Sequence, residues 1–337
     1  MSSTRESFLL PDIMHFLPFK GSINPHYERA AKASSAWVNS YSFVPEHKRV
    51  FFQQGGSELL CAYTHPYAGY EELRTIMDLI NLLFAMDEIS DDQNGKVAYK
   101  TGRILLNTLR DPDSSDGSAL VQMTKGFRER LLRFNRPACY QQLIKHTEDY
   151  VNAVVLEAEL RERKEVLDPD AYIVLRRENS AVRCCFALFG IILGAELPAE
   201  ILEHPTMMRL HLAAVDMTSL SNDLYSYNRE QAMGHAGSNF LTVLMKSKHC
   251  DLQTSADHLG AHFKQLMDDF QVDKTRLPSW GPQTDAVVTR FVVAMEIWVV
   301  GNCEWSFETP RYFGAQREQV KRTRDVELYP QRHEHDG

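Results

Sequence analysis

Several features that mark other protein classes are scarce in this 337-residue sequence. Its six cysteines form no CxxC pair and are too few for a disulfide scaffold, which favours a reduced, cytoplasmic protein. Lys and Arg number 37 against 45 Asp and Glu, so the net charge is -8 and nucleic-acid binding is not expected. An acidic protein of this kind must neutralise any anionic substrate locally, with metal ions or a few placed arginines.

Long hydrophobic runs are also missing. The apolar stretch FVVAMEIWVV is interrupted by Glu296, so no integral membrane segment is expected. The N-terminal MSSTRESFLLPDIMHF has no basic segment followed by a long apolar run, and no signal peptide is expected. Strand signals are scarce as well, because the single Asn94-Gly95 pair follows a helical pattern instead of joining two alternating runs.

Helical periodicity is what the sequence has in abundance. Apolar residues recur with a 3.6-residue period in most segments, separated by polar breakers such as RDPDSSDGS at 110–118. No linker divides the chain, so the prediction is one all-α domain over 1–320, followed by a polar C-terminal tail over 321–337. The predicted helices cover 26–40, 68–91, 97–109, 117–133, 138–162, 169–192, 198–202, 206–231, 239–247, 252–272, 283–304 and 306–313.

Carboxylates extend an apolar stripe in the segment YEELRTIMDLINLLFAMDEISDD, residues 70–92. The stripe through Ile80 and Leu83 continues by helical steps to Asp87 and Asp91, with Glu88 beside them. Two carboxylates on an inward face require a cation, and positions 79–92 contain no Lys or Arg. Oxygen ligands of this kind suit Mg²⁺. The alternative is that the helix simply ends in an acidic loop.

A second stripe turns polar in NDLYSYNRE, residues 222–230. Asn222, Ser226 and Glu230 are spaced by four residues, so on a helix they share one face. The apolar face of the preceding residues projects onto this stripe. An amide, a hydroxyl and a carboxylate together offer three oxygen ligands to one small divalent ion. A solvated helix face is the alternative for this pattern taken alone.

These two patterns together resemble a class I terpene synthase, and the resemblance covers nearly the whole chain. DEISD at 87–91 resembles the aspartate-rich motif, and NDLYSYNRE resembles the metal-binding triad with Arg229 before its final Glu. ETPRYF supplies the Arg-Tyr pair of the family as Arg311 and Tyr312. The N-terminal LPDIMHFLPFKGSINPHYERA further resembles the mushroom-type fungal sesquiterpene synthases.

The resemblance also implies an arginine that senses diphosphate, and two residues compete for this role. Family spacing, about 46 residues before the triad Asn, indicates Arg176 in YIVLRRENS. If one helix buries Ile173, Cys184 and Leu188, however, the inward residue is Arg177. Both arginines therefore remain candidates.

The resemblance implies an α-helical bundle around a central active-site cavity and a Mg²⁺-dependent reaction with three bound ions. The metal ligands are Asp87, Glu88, Asp91, Asn222, Ser226 and Glu230. The diphosphate of farnesyl diphosphate is bound by Arg176 or Arg177, Arg229, Arg311 and Tyr312. Ionisation yields a carbocation, which Phe84 and Trp305 shield while it cyclises to a C15 terpene, with 1,11-closure as the expected first step. The loop 233–239 is a candidate lid, and the protein is expected to be a monomer or homodimer.

Three other functions fit the sequence less well. A chain-elongating prenyltransferase typically has a second aspartate-rich motif where this chain has the triad. A His-Asp phosphohydrolase needs an internal His-Asp pair, but His335-Asp336 lies in the tail. A catalytically inactive isoprenoid-diphosphate-binding protein is expected to have damaged ligand positions, whereas all the ligand types are present here.

Overall fold

The computed structural model describes residues 6–41, 52–90, 93–111, 113–114 and 116–331. Within these ranges the fold is almost entirely α-helical, as the periodicity predicted. The helices are α1 Tyr27–Asn39, α2 Ser57–Thr64, α3 Tyr70–Ser90, α4 Gly95–Arg110, α5 Ala119–Leu132, α6 Pro137–Glu162, α7 Pro169–Asn179, α8 Val182–Phe186, α9 Phe189–Ile192, α10 Ala199–Leu202, α11 Pro205–Met233, α12 Phe240–Lys248, α13 Leu252–Thr275, α14 Pro282–Glu308, α15 Pro310–Phe313 and α16 Arg317–Thr323.

Local sequence signals fix where many of these helices begin. Side-chain oxygens cap the first backbone N–H groups, which no helical carbonyl can satisfy, and each such cap contributes about 1 kcal/mol. Proline occupies the first turn of four long helices, where its missing N–H costs nothing. The capping residues are Asn94, Ser118, Asp168, Asn239 and Asp251, and the prolines are Pro137, Pro169, Pro205 and Pro282.

Two long helices carry the predicted motifs through the middle of the fold. Helix α3 packs against α1 and α2, and helix α11 packs against α13 and α14. Both are buried on most of their circumference instead of along one stripe. Polar residues near their C-terminal ends therefore face the protein interior, where they need partners or ligands.

Helix α14 is long and apolar enough to cross a membrane by length and composition alone. It is instead a core helix, because 67% of its most apolar window is buried inside the fold. Its backbone approaches the end of α2 very closely at Gly301, where an added Cβ would lie 2.6 Å from the Tyr63 carbonyl oxygen. Only glycine permits this approach.

The prediction of one helix over 169–192 is wrong. Helix α7 ends at Asn179, and the chain continues through α8 and α9 as separate short helices. The break occurs at Ala181, whose φ of 58° is left-handed and cannot continue the helical hydrogen-bond ladder. The segment contains neither Gly nor Pro at this point, so its composition gave no signal of the break.

A small antiparallel sheet joins the two ends of the described chain. Strand β1, Ser7–Leu9, pairs with β2, Asp325–Glu327, and buries Phe8 against Val326. The Asn228 side chain of α11 donates to the Glu327 carbonyl at 2.9 Å and accepts from the Tyr329 N–H at 2.7 Å. Packing therefore continues beyond residue 320, while residues 332–337 of the predicted tail lie outside the described ranges.

Substituting Gly301→Ala should destabilise the protein by about 1–3 kcal/mol, because the new methyl group overlaps the α2 backbone and α14 must move away. The measurement is the free energy of unfolding from urea titration. Val293→Ala on the exposed side of the same helix is the control and should change it by less than about 0.5 kcal/mol. Equal stabilities of the two variants would contradict the close approach.

Candidate active site

A cavity of about 200 Å³ lies between α3, α6, α7, α11 and α14. Most of the site residues predicted from the sequence line it, although they come from segments far apart in the chain. These lining residues are Phe84, Asp87, Arg176, Asn222, Ser226, Arg229, Glu230, Trp305, Arg311 and Tyr312. Of the other predicted residues, Asp91 lies outside the described ranges, and Glu88 and Arg177 are placed elsewhere.

The acidic motif divides into residues with different environments. The Asp87 side chain is 53% exposed at the cavity, with Arg311 Nη2 3.8 Å from its Oδ2. Glu88 is buried and bonds two arginines, with Arg311 Nη1 at 3.1 Å and Arg229 Nη2 at 3.2 Å. Burial opposes ionisation of Glu88, but the two arginines outweigh it and hold the pKa of this carboxyl below its usual value. Glu88 thus fixes two arginines rather than projecting into the cavity.

The triad residues line the cavity from one face of α11. The Asn222 Oδ1 accepts from Arg176 Nη2 at 2.8 Å, and its Nδ2 donates to the Tyr312 hydroxyl at 2.7 Å. The Ser226 hydroxyl is buried beside the Glu230 carboxyl, where its hydrogen bond acts to lower the pKa of that carboxyl. Glu230 accepts from Asn239 Nδ2 at 2.9 Å. Burial and the nearby Asp223 carboxylate raise the pKa of Glu230 to about 7.

The two candidate arginines of α7 point in different directions. Arg176 lies at the cavity, and its Nε donates to the buried Asp223 Oδ1 at 2.9 Å. Arg177 instead forms two hydrogen bonds of 2.7 Å with Asp216 and is not among the cavity-lining residues. The apolar-face argument for Arg177 assumed a helix that continues to Cys184. The break at Ala181 removes that assumption.

Aromatic rings adjoin the charged part of the cavity. Phe84 packs edge to face with Trp305 at 6.2 Å, and Trp305 packs edge to face with Tyr312 at 5.5 Å. The Arg311 guanidinium lies over the Phe84 ring, 5.1 Å from its centre. The Trp305 indole N–H donates to the Gly56 carbonyl at 2.9 Å, which fixes its orientation.

Sequence reasoning missed several residues of the site. Glu157 and Asn179 line the cavity. The Asn179 side chain connects Arg176 to Glu157, because it accepts from Arg176 Nη1 at 3.2 Å and donates to Glu157 at 2.8 Å. Trp298 also lines the cavity. It precedes Trp305 by two helical turns, and this spacing could have identified it. Asp223 carried no such signal, because it lies one residue from the predicted stripe.

The architecture that holds this cavity is the class I terpene synthase fold. The structure of hedycaryol synthase in complex with HEPES matches with a TM-score of 0.79, over 90% of this chain and 99% of that one, at 21% identity. Germacradien-4-ol synthase from Streptomyces citricolor matches with a TM-score of 0.75, over 86% and 96%, at 20% identity. The predicted fold is confirmed.

Sequence comparisons identify the family. Residues 78–269 match the model for terpene synthase family 2, C-terminal metal binding, and the chain belongs to this family. Bifunctional terpene synthase Agr4 from Cyclocybe aegerita is 42% identical over 100% of this chain and 98% of that protein. Viridiflorene synthase Agr2 from the same fungus is 39% identical over 96% and 86%. The predicted resemblance and the predicted enzyme class, a terpene cyclase, are confirmed.

Another relative carries a name from a different chemistry. A Coprinopsis cinerea protein named linoleate 10R-lipoxygenase COP4 is 46% identical over 98% of this chain and 95% of that protein. This name describes that protein, and it makes linoleate a second compound to offer in any assay of the present chain.

The side chains at the cavity fit the metal binding named in the family description. Asp87, Ser226 and Glu230 present carboxylate and hydroxyl oxygens at the cavity, the donors that Mg²⁺ prefers. The described residues contain no cluster of three or more His, Cys, Asp or Glu side chains close enough to hold a metal ion. The candidate site thus depends on donors from two helices, including an amide and a hydroxyl.

Glu88→Gln should destabilise the protein by about 3 kcal/mol, because it removes the buried negative charge between Arg229 and Arg311 and leaves both cations poorly paired. The measurement is again the free energy of unfolding from urea titration. Glu148→Gln breaks the exposed ion pair with Arg110 and is the matched control, with an expected change below about 1 kcal/mol. A loss for Glu88→Gln as small as that of the control would show that Glu88 does not hold the two arginines.

Proposed function

We propose that this protein is a sesquiterpene synthase that ionises farnesyl diphosphate with Mg²⁺ and cyclises the resulting C15 cation, releasing diphosphate. The family supports a terpene synthase. The choice of a fifteen-carbon substrate is supported by relatives named sesquiterpene synthases, such as Agr5 of Cyclocybe aegerita, which is 41% identical over 91% of this chain. Three Mg²⁺ ions and an initial 1,11-closure are carried over from the resemblance to the mushroom-type enzymes.

One observation carries the proposal: the charged ends of three segments meet at the cavity. Glu88 of α3 pairs with Arg229 of α11 and with Arg311 of α15. On α3, the cavity-lining residues that precede this charged end are Ile80, Leu83 and Phe84. On α14, which leads into α15, they are Trp298, Asn302 and Trp305. The cavity thus joins a charged region to a mainly apolar and aromatic one, as a diphosphate attached to a hydrocarbon chain requires.

The charged region can bind and stabilise a departing diphosphate. Arg176, Arg229 and Arg311 offer forked N–H donors, and ion pairs with Asp223 and Glu88 hold these guanidinium groups in place before the substrate arrives. Tyr312 adds a hydroxyl that already bonds Asn222. When bound, Mg²⁺ would neutralise the charge that develops on the leaving group. Preorganised charges in a site shielded from water are the main source of such catalysis.

The aromatic region can shield a carbocation. Phe84, Trp298 and Trp305 present ring carbon atoms, whose π-electrons stabilise a cation without reacting with it as a hydroxyl or carboxylate would. The segment after the triad contributes Met233, His235 and Ser238 to the cavity lining, which supports the loop 233–239 as the segment that closes over the bound substrate.

The first prediction from this function concerns products. Purified protein with Mg²⁺ should convert farnesyl diphosphate to a cyclic C15 terpene, and EDTA should abolish the reaction. Gas chromatography with mass spectrometry identifies the product, whose skeleton tests the expected 1,11-closure. Geranyl and geranylgeranyl diphosphate and linoleate are offered in parallel. Formation of isoprenoid diphosphates longer than the substrate would indicate a prenyltransferase. Oxidation of linoleate without turnover of any diphosphate would contradict the proposal.

A second prediction separates the adjacent arginines of α7. Arg176→Lys keeps the positive charge but loses the fork that bridges Asp223 and Asn222, so kcat/KM should fall by roughly 10²-fold or more. Arg177→Lys alters an ion pair with Asp216 outside the cavity and should change kcat/KM less than about threefold. Pyrophosphate affinity in the presence of Mg²⁺ should follow the same order. A larger loss at position 177 would assign the sensor role to Arg177 instead.

A further inference from the structure

Trp298 is held by a hydrogen bond that points away from the cavity. Its indole Nε1 donates to His65 Nε2 at 3.2 Å, and both side chains are buried. The rings meet edge to face, with centroids 5.9 Å apart at 85°. Trp298 lines the cavity, whereas His65 does not. The polar N–H edge of the indole is therefore turned outward, and the carbon atoms of the ring face the cavity.

The hydrogen bonds around His65 define one tautomer. Because Nε2 accepts from Trp298, the proton of the neutral imidazole must be on Nδ1. Nδ1 lies 3.0 Å from the Thr64 hydroxyl and 3.3 Å from the Cys61 carbonyl. The Thr64 hydroxyl donates to the Leu60 carbonyl at 2.9 Å, which leaves its lone pairs free to accept from Nδ1. Complete burial lowers the pKa of His65 to about 3, so the ring stays neutral and keeps Nε2 as an acceptor.

Packing also restricts the Trp298 ring to this position. The ring of Phe186, at the end of α8, packs edge to face against the Trp298 ring, with centroids 5.8 Å apart. The close approach at Gly301, one turn after Trp298, brings α14 against the end of α2, where His65 caps the helix. Without an acceptor at position 65, the buried indole N–H would lose its hydrogen-bond partner. Because an unsatisfied buried donor is unfavourable, rotation of the ring toward polar groups of the cavity would then be favoured.

We infer that His65 is a positioning residue for the cyclisation, because its Nε2 holds the Trp298 indole N–H away from the cavity, so that carbon atoms of the ring, and not the N–H, line the site of the carbocation. This inference rests on the proposed function. A ring held at a fixed place in the cavity stabilises positive charge at particular carbons of the substrate and disfavours others. His65 thereby controls the distribution of products without touching the substrate.

The test compares His65→Phe, which keeps the ring volume but removes the acceptor, with His65→Gln, which retains an amide oxygen near the Nε2 position. His65→Phe should shift the product ratios and lower kcat roughly threefold to thirtyfold, with KM for farnesyl diphosphate nearly unchanged. His65→Gln should restore the ratios toward those of the wild type. Trp298→Phe should change the ratios in the same direction, and adding His65→Phe to it should have little further effect.

A spectroscopic measurement follows the hydrogen bond itself. The chain has four tryptophans, so a ¹⁵N–¹H spectrum shows few indole signals, and Trp298→Phe identifies the one that belongs to Trp298. This proton should exchange slowly with water in the wild type and in His65→Gln, and faster in His65→Phe. The His204 ring packs edge to face with the Trp280 ring, with centroids 5.4 Å apart, and neither residue lines the cavity. His204→Phe is therefore the matched control and should leave product ratios unchanged.

The possible failures are distinguishable. Product ratios in His65→Phe that equal those of His204→Phe and the wild type would overturn the inference and leave the proposed function intact. The same holds if the Trp298 indole proton exchanges equally in all variants. Absence of any terpene product from the wild type would overturn the proposed function, and with it the role of His65 in cyclisation. If His65→Phe does not fold, failure of Trp298→Phe to alter the product ratios overturns the inference.

Discussion

The buried carboxylate of Glu88 is the group on which the geometry of the site depends. It binds Arg229 and Arg311, which belong to different segments of the chain, and so joins the end of α3 to the end of α11 and to α15. Neither arginine could be buried without a partner, since an unpaired internal charge is strongly unfavourable. The position next to Asp87 thus serves the site indirectly. Asp87 faces the cavity, and its neighbour Glu88 holds Arg229 and Arg311, two of the arginines that line the cavity.

Much of this arrangement was predictable because it follows from helical periodicity. The apolar stripe of α3 led to Asp87, and that of α11 led to Asn222, Ser226 and Glu230, which all line the cavity. Periodicity reports which face a residue occupies, but not which side chain it meets across the fold. Glu88 was predicted to bind metal because DEISD resembles the aspartate-rich motif, whereas in the structure its carboxylate pairs with Arg229 and Arg311.

The break at Ala181 shows a second limit of sequence reasoning. A left-handed residue redirects the chain, and alanine gives no compositional sign of this conformation, which tertiary packing imposes on it. Face assignments projected across the break therefore fail, as they did for Arg177. Asp223 and Glu157 were missed for a related reason. Each contributes through a partner on another helix, namely Arg176 and Asn179, and such pairs are visible only once the helices are packed.

The balance of charge around the cavity explains why arginines alone would not suffice. Four arginines line it, namely Arg161, Arg176, Arg229 and Arg311. Asp87, Glu157 and Glu230 also line it, and Glu88 and Asp223 pair with three of the arginines. Within the described residues, carboxyl groups therefore outnumber the cations, so a diphosphate would enter a site with little or no net positive charge. Under the proposed function, divalent cations held by oxygen donors of α3 and α11, such as Asp87 and Glu230, would reverse that balance.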